Sequence, residues 1–279
     1  MPVWLITGAS RGFGRLMVEA ALAAGDHVIA TARRPAAITD AFPDAGDHLF
    51  VQALDVVDEA QAVAAVAAGV ERFGGVDVVV NNAGYGTFGA LEELSDAEVR
   101  AIFDANVFGL LNVTRAVLPV LRARGAGRII NIGSSAGIAV GAGRGVYGAT
   151  KFAVEAITEA LHAEVAPLGI KVTVVEPGSF RTDFLAHGGQ RRPRNTIDAY
   201  APTVGPLQDA IDANDGLQPG DPAKAVAAIR ALAADDDPPL RLPLGSDCLA
   251  LLEQKVAALD EVVEVARTQA PTTDFTVAT

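Results

Sequence analysis

Tyr147 and Lys151 stand four residues apart in a stretch with helical spacing, so their side chains share one helix face. A phenol with an ordinary pKa of about 10 is a weak acid or base at neutral pH, and an ammonium beside it favours the phenolate. Such a pair could pass a proton to or from a substrate oxygen. Taken alone, Tyr-x-x-x-Lys also describes any partly exposed helix pair. Its surroundings narrow the reading. Ser134, thirteen residues before Tyr147, follows an apolar run and offers a hydroxyl, with Ser135 offering the same group one position on. Asn81-Asn82-Ala83-Gly84 follows an earlier apolar run, and the first such run leads into Thr7-Gly8-Ala9-Ser10-Arg11-Gly12-Phe13-Gly14. Leu16, Met17, Ala20 and Ala21 then recur at helical spacing. A strand, a glycine-rich turn and a helix in that order make an anion site, because backbone N–H groups and the positive end of the helix dipole face the turn. The spacing Gly-x-x-x-Gly-x-Gly differs from the dinucleotide fingerprint Gly-x-Gly-x-x-Gly, and glycines needed only for a tight turn would look the same.

The elements that must position these residues are legible from periodicity. Strands are expected at Val3–Ile6, His27–Thr31, Leu49–Leu54, Val76–Asn81, Arg128–Ile132 and Lys171–Val175, with helices between them and a further edge strand at Leu240–Leu244. This alternation builds a parallel sheet. Unbroken β-branched runs such as Val78-Val79-Val80 and Val172-Thr173-Val174-Val175 suit central strands covered on both faces. Ser95 followed by Asp96 and Glu98 reads as the N-cap of a long helix reaching about Arg124. The fold class expected is α/β: a single-domain, Rossmann-like, doubly wound parallel sheet with flanking helices, over residues 1–270. In that arrangement ligands sit at the carboxyl ends of the strands, where the glycine turn, Asn82 and Ser134 all fall.

After Thr182 the texture changes. Glycines, then Arg191-Arg192-Pro193-Arg194, then Pro202, Pro206, Pro219 and Pro222 mark a long loop with at most a short helix. Residues 185–220 are expected to be a substrate lid, a disordered insertion being the alternative. Helices at Pro222–Ala234 and Ser246–Arg267 follow, the second with the apolar stripe Leu249, Leu252, Val256, Leu259, Val263, and 271–279 is expected to be a flexible tail.

These residues resemble those of the short-chain dehydrogenase/reductase family, over about Val3 to Thr182. The resemblance implies that Gly8, Ser10, Arg11, Gly12, Phe13 and Gly14 form the diphosphate loop, that Asp55 and Val56 contact adenine, and that Asn82, Ala83 and Gly84 line the cofactor. It implies a catalytic tetrad of Asn106, Ser134, Tyr147 and Lys151, with Tyr147 and Lys151 also touching the cofactor. Pro177, Gly178 and Thr182 match the segment beside the nicotinamide. Phe13 stands where the family more often has a smaller aliphatic residue. In the reaction implied, hydride moves between a nicotinamide cofactor and a carbonyl or alcohol carbon. Tyr147 donates the proton, Ser134 bonds the oxygen, Lys151 holds the ribose and depresses the tyrosine pKa, and Asn106 keeps a water in line. At the end of the second strand Ala32 fills the place of an acidic residue that would accept from a ribose hydroxyl, and Arg33 and Arg34 follow. With Arg11 they form a basic patch suited to a 2′-phosphate, so NADP(H) is the cofactor expected, against two merely solvated arginines.

Composition excludes several other classes. Half the 279 residues are apolar and only 20% are charged, far from the balance of a disordered chain. No run approaches about 18 uninterrupted apolar residues, and the start lacks a signal-peptide pattern. Together with the lone Cys248, this gives the expectation of a cytoplasmic protein without a membrane span. A formal charge of −12 speaks against nucleic acid. Four scattered histidines and Asp235-Asp236-Asp237 beside two prolines give no metal site. The partners expected are a small carbonyl or alcohol substrate, which Tyr85, Phe184 and Tyr200 could wall and Arg191, Arg192 or Arg194 could contact, and further copies of the chain. Relatives associate through the helices that carry Asn106 and Tyr147, implying a homodimer or homotetramer. A non-catalytic NADP(H)-binding sensor on the same fold is the rival reading, and an epimerase would need a larger C-terminal domain.

Overall fold

A computed structural model describes residues 1–185 and 189–275. Seven parallel strands form the central sheet: β1 (Val3–Thr7), β2 (His27–Ala32), β3 (Leu49–Ala53), β4 (Val78–Asn81), β6 (Gly127–Ile132), β7 (Ile170–Pro177) and β9 (Arg241–Leu244). The order across the sheet is β3-β2-β1-β4-β6-β7-β9. The chain winds outward one way from β1 and then returns through β4 the other way, so the switch point lies between β1 and β4, the place where open α/β sheets leave a crevice. All six strands expected inside the sheet are present, and the apolar run near Leu240 supplies the edge, pairing Val174 with Arg241 and Pro177 with Leu244.

Helices cover both faces. Glu59–Phe73 (α3), Gly109–Arg124 (α5) and Gly145–Val165 (α6) pack on one side, around Val66, Val117, Leu121 and Leu161. Gly12–Ala23 (α1) and Pro222–Ala234 (α8) cover the other, around Met17, Val18, Val226 and Ile229. Strand residues of β1 and β4 are buried throughout and those of β7 at every position but Lys171, as a sheet covered on both faces requires. The remaining helices are the short α2 (Ala36–Thr39), α4 (Asp96–Phe103), α7 (Ala201–Asn214) and α9 (Ser246–Gln269).

Three departures from the sequence reading bear on the site. The helix capped by Ser95 does reach Arg124, and Ser95 makes a full capping box with Glu98, but it is broken by one π-turn at Asp104–Phe108 that carries Asn106. By length and composition this span is apolar enough to cross a membrane, yet half of it is buried, as befits a core helix. The expected lid is more regular than a loop. Gln190–Arg191 (β8) pairs with Gly86–Thr87 (β5) in a small second sheet, and α7 has 14 residues with Pro202 in its first turn, where a missing N–H costs nothing. Residues 186–188 of that segment, and 276–279 of the expected tail, lie outside the described residues. Before them the chain turns through a 3-10 segment at Ala270–Thr273.

Candidate active site

A cavity of about 1050 Å³ opens at the carboxyl ends of the strands. The residues expected to bind the cofactor or do the chemistry all line it except Gly14 and Asn106, which stand directly behind its wall.

The glycine turn is shaped by three separate demands. Gly8 has φ +65°, and a Cβ there would lie 2.9 Å from the Ala83 Cα. Gly12 has φ +51° and opens α1, whose N-cap, Arg11, makes no side-chain capping bond, leaving first-turn N–H groups to face the cavity. At Gly14 a Cβ would strike the Gly8 carbonyl and the Asn82 carboxamide. Asn82 clamps the turn, donating from Nδ2 to Thr7 O at 2.8 Å and Gly8 O at 3.2 Å. Thr7 Oγ1 accepts from the Asn82 and Ala83 amides in return. This is a cradle with room for a diphosphate and none for a side chain, and it fits a dinucleotide. Phe13 packs edge-on to Phe180 at 5.4 Å. The larger residue at this position thus joins the glycine turn to the segment after β7.

Further along the crevice, Asp55 and Val56 sit on one wall, with the Asp55 amide donating to Gln61 Oε1. Buried Ala32 ends β2, and Arg33 and Arg34 are exposed at the cavity's edge. Pro177 and Gly178 end β7. Gly178 must be glycine, since a Cβ would collide with the Asp247 carboxylate, which accepts from the Ser179 amide at 2.7 Å. Asp247, at the start of α9, is a bracing residue that the sequence reading missed. Nothing local in a lone aspartate near a helix start points to a segment 68 residues away.

The four residues proposed for chemistry converge. Tyr147 is 6% exposed, and of the adjacent serines Ser134 is the one whose hydroxyl acts on its phenol. Ser134 also accepts from the Ala136 amide, fixing its rotamer. Lys151 Nζ donates to Ile132 O at 2.7 Å and lies 5.9 Å from the Tyr147 ring centre. Burial pushes the Tyr147 phenol up to about 12, and Ser134 and Arg144 pull against it. The expectation that Lys151 depresses this pKa is therefore corrected. Burial dominates, and Lys151 is itself brought down to about 8 by burial, with the Glu155 carboxylate opposing. Asn106 also differs from expectation. Its Oδ1 accepts from the Tyr85 amide at 3.0 Å, and its Nδ2 donates to Tyr85 O at 2.9 Å and Thr150 Oγ1 at 3.1 Å. Its carboxamide is committed to protein, and Thr150 passes the link on by donating to Tyr147 O at 2.7 Å.

Behind Lys151, one helical turn on, lies a charged cluster. Arg241 Nη1 meets Glu155 Oε2 at 2.6 Å and Glu176 Oε1 at 2.8 Å, and its Nη2 meets Glu159 Oε1 at 2.6 Å. Burial and the neighbouring Glu176 raise Glu155 to about 8, and burial raises Glu176. Glu155 Oε1 and Glu176 Oε2 find no donor among the described residues.

Of the residues considered for substrate contact, Tyr85 and Phe184 line the cavity, and Phe184 lies 6.0 Å from the Tyr147 ring. Arg191 lies over the Tyr85 ring at 4.0 Å. Tyr200 does not reach the cavity, its hydroxyl donating to Glu92 outside, while Arg192 pairs with Asp212 and the Arg194 amide with Glu98. No group of three or more potential metal ligands occurs among the described residues. Cys248 is buried, its Sγ donating to Glu176 O.

Known proteins share this arrangement. Residues 2–192 match the short chain dehydrogenase family. Oxidoreductase BOA17 of Botryotinia fuckeliana is 39% identical over 248 residues, covering 88% of this chain and 90% of its own. A short-chain dehydrogenase from Streptomyces avermitilis superimposes with a TM-score of 0.91 at 43% identity, over 98% of this chain and 100% of that one. Two further structures carry nicotinamide cofactors. A serine dehydrogenase complexed with NADP+ has a TM-score of 0.74 at 29% identity over 87% of this chain and 94% of its own. A 3-ketoacyl-(acyl-carrier-protein) reductase from Brucella melitensis complexed with NADH has 0.72 at 27% over 87% and 96%. With the doubly wound sheet, the glycine cradle at its switch point and residues 2–192 matching throughout, this chain belongs to the short-chain dehydrogenase/reductase family and is an oxidoreductase of that family.

Proposed function

We propose that the chain transfers hydride between NADP(H) and the carbonyl or secondary alcohol carbon of a small, largely apolar substrate. The observation that carries this reading is the buried Tyr147, with Ser134 and Lys151 lining the same cavity as the glycine cradle. The cofactor, when bound, supplies or accepts the hydride. Gly8, Ser10, Arg11, Gly12, Phe13 and Gly14 hold its diphosphate at the α1 N-terminus, Asp55 and Val56 flank the adenine, and Arg33 and Arg34 take the 2′-phosphate. Asn82, Ala83, Gly84, Pro177, Gly178 and Thr182 enclose the nicotinamide half. NADP(H) is favoured over NAD(H) because Ala32 offers no carboxylate to a ribose hydroxyl while two guanidinium groups stand at the cavity edge.

In the reductive direction Tyr147 is the acid. At a pKa of about 12 it keeps its proton across the neutral range. Ser134 orients the substrate oxygen against that proton. Lys151, anchored on Ile132 O, lies against the nicotinamide ribose. Asn106 is a positioning residue, tying Tyr85 and, through Thr150, the Tyr147 backbone into one unit. Phe184, Leu185 and Ile211 make the substrate wall apolar, and the 3-ketoacyl substrate named for the Brucella relative is a ketone on an apolar chain. Residues 185–220 act as the lid. Association of copies through α5 and α6 is supported by exposed Phe108, in the π-turn that leads into α5, and exposed Phe152 on α6.

The test is Tyr147→Phe, assayed by nicotinamide absorbance with NADPH over aliphatic, aromatic and polycyclic ketones. Turnover of whichever ketones the unmodified protein reduces should fall by about 10²–10⁴-fold, with NADPH affinity little changed, since only the transferable proton is gone. Near-normal turnover would show that Tyr147 is not the acid. Cofactor binding without turnover of any ketone in the unmodified protein would favour the sensor reading.

A further inference from the structure

The helix α9 is long, regular and almost unsupported. Of its 24 residues only Cys248 is buried, and the helix rests on the domain through its first turns, near β9 and the Ser135–Gly137 turn. Beyond Glu253 it runs into solvent, yet Val256, Leu259, Val262, Val263 and Val265 are 47–60% exposed there. In proteins most helical stability comes from packing of an apolar face, and an apolar stripe left in solvent marks a missing partner.

The stripe specifies that partner. Leu249, Leu252, Val256, Leu259, Val263 and Ala266 follow one another at alternating intervals of three and four residues, which is a heptad seam of about 26 Å. The first, third and fifth of these are a positions and the others d positions. Valine at a with leucine at d, as in Val256 and Leu259, favours two strands over three or four. The flanks agree. Lys255 falls at g and Asp260 at the following e, so in a parallel pair each Lys255 faces Asp260 of the other copy, on both sides of the seam. An antiparallel pair would set e against e, bringing Glu253 to Asp260, both acidic.

We propose that α9 is a dimerisation helix, pairing in parallel with α9 of a second copy of this chain about a two-fold axis along the seam. The contact is isologous and closes on itself, and it is separate from any association through α5 and α6. The first turn of α9 carries Asp247, which braces Ser179 beside the cofactor crevice. Pairing therefore also anchors the element that holds that wall.

Sedimentation equilibrium of the full chain at micromolar concentrations tests this. The unmodified protein should assemble, and Val256→Asp with Leu259→Asp should halve its mass while circular dichroism of the folded domain is retained, because both positions face water. A second pair of variants reads the orientation. Lys255→Glu and Asp260→Lys should each weaken self-association by about tenfold through like charges across the seam, and mixing the two should restore it, since every g–e contact is then complementary. An unmodified protein that is monomeric, or a folded double variant of unchanged mass, overturns the proposal. Charge variants that stay assembled alone, or do not recover on mixing, overturn the parallel seam.

Discussion

Replacing Arg241 by Met removes the one cation that the structure places on two buried carboxyls, and the cost should depend on pH in a defined direction. Three pairs are lost. Glu159 is 55% exposed, so its pair is worth less than about 1 kcal/mol. Glu155 and Glu176 have side chains only 6% and 1% exposed, and stripping the partner from a buried ionised pair costs about 3–5 kcal/mol. Arg241 is itself 37% exposed, so water reaches the cluster and the lower end, about 3 kcal/mol, is expected. Protonation limits the loss. Glu155 already titrates near about 8 against 4.5 for an ordinary glutamate, so over that window the folded chain binds a proton that the unfolded chain has released. Stability then falls as pH rises from 4.5 towards 8. Without Arg241 both acids titrate higher and the fall steepens and extends upward. Urea unfolding followed by circular dichroism should show a loss of about 1–2 kcal/mol near pH 5, where neutral acids lose only hydrogen bonds. It should grow to about 3 kcal/mol above pH 8. An equal loss at both pH values, or less than about 1 kcal/mol at the higher one, would refute the view that Arg241 compensates buried charge.

Two further outcomes follow from the site. Ser134→Ala should lower kcat by about 10²-fold, as loss of a donor to the reacting oxygen does, while Ser135→Ala, whose hydroxyl does not act on the Tyr147 phenol, should change it little. The reverse ranking in steady-state assays would move the role to Ser135. NADPH should be preferred over NADH by at least about tenfold in kcat/KM, each guanidinium contact to the 2′-phosphate being worth about 1.5–3 kcal/mol. Replacing Ala32 with Asp and Arg33 with Ala together should reverse that preference. A ratio unmoved by the double change would mean that these arginines are only solvated.

The sequence by itself determined what depends on neighbours along the chain. Uninterrupted β-branched runs, the turn at Gly8 to Gly14 and the i, i+4 relation of Tyr147 to Lys151 are local facts, and from them the parallel sheet, the cradle at the switch point and the closeness of Tyr147 to Lys151 could all be read. Folding added what only distant segments meeting in space can decide. The pairing of Gly86–Thr87 with Gln190–Arg191 joins two residues to two others across a hundred positions, with no hydrophobic period to announce it. The segment after Thr182 looked loop-like because its prolines obscure periodicity, although Pro202 sits where a helix start tolerates it. Asn106 was expected to hold a water, but the π-turn that carries it aims its carboxamide at Tyr85 and Thr150. The sign of the Tyr147 shift was decided the same way. Sequence spacing puts an ammonium nearby, which lowers a phenol's pKa, whereas the fold encloses the ring in Phe88, Phe184 and α6 and so makes the desolvation of the phenolate the larger effect. Charge proximity is written into the helix repeat, but the dielectric around the charge exists only once the sheet, the π-turn and the lid have closed on it.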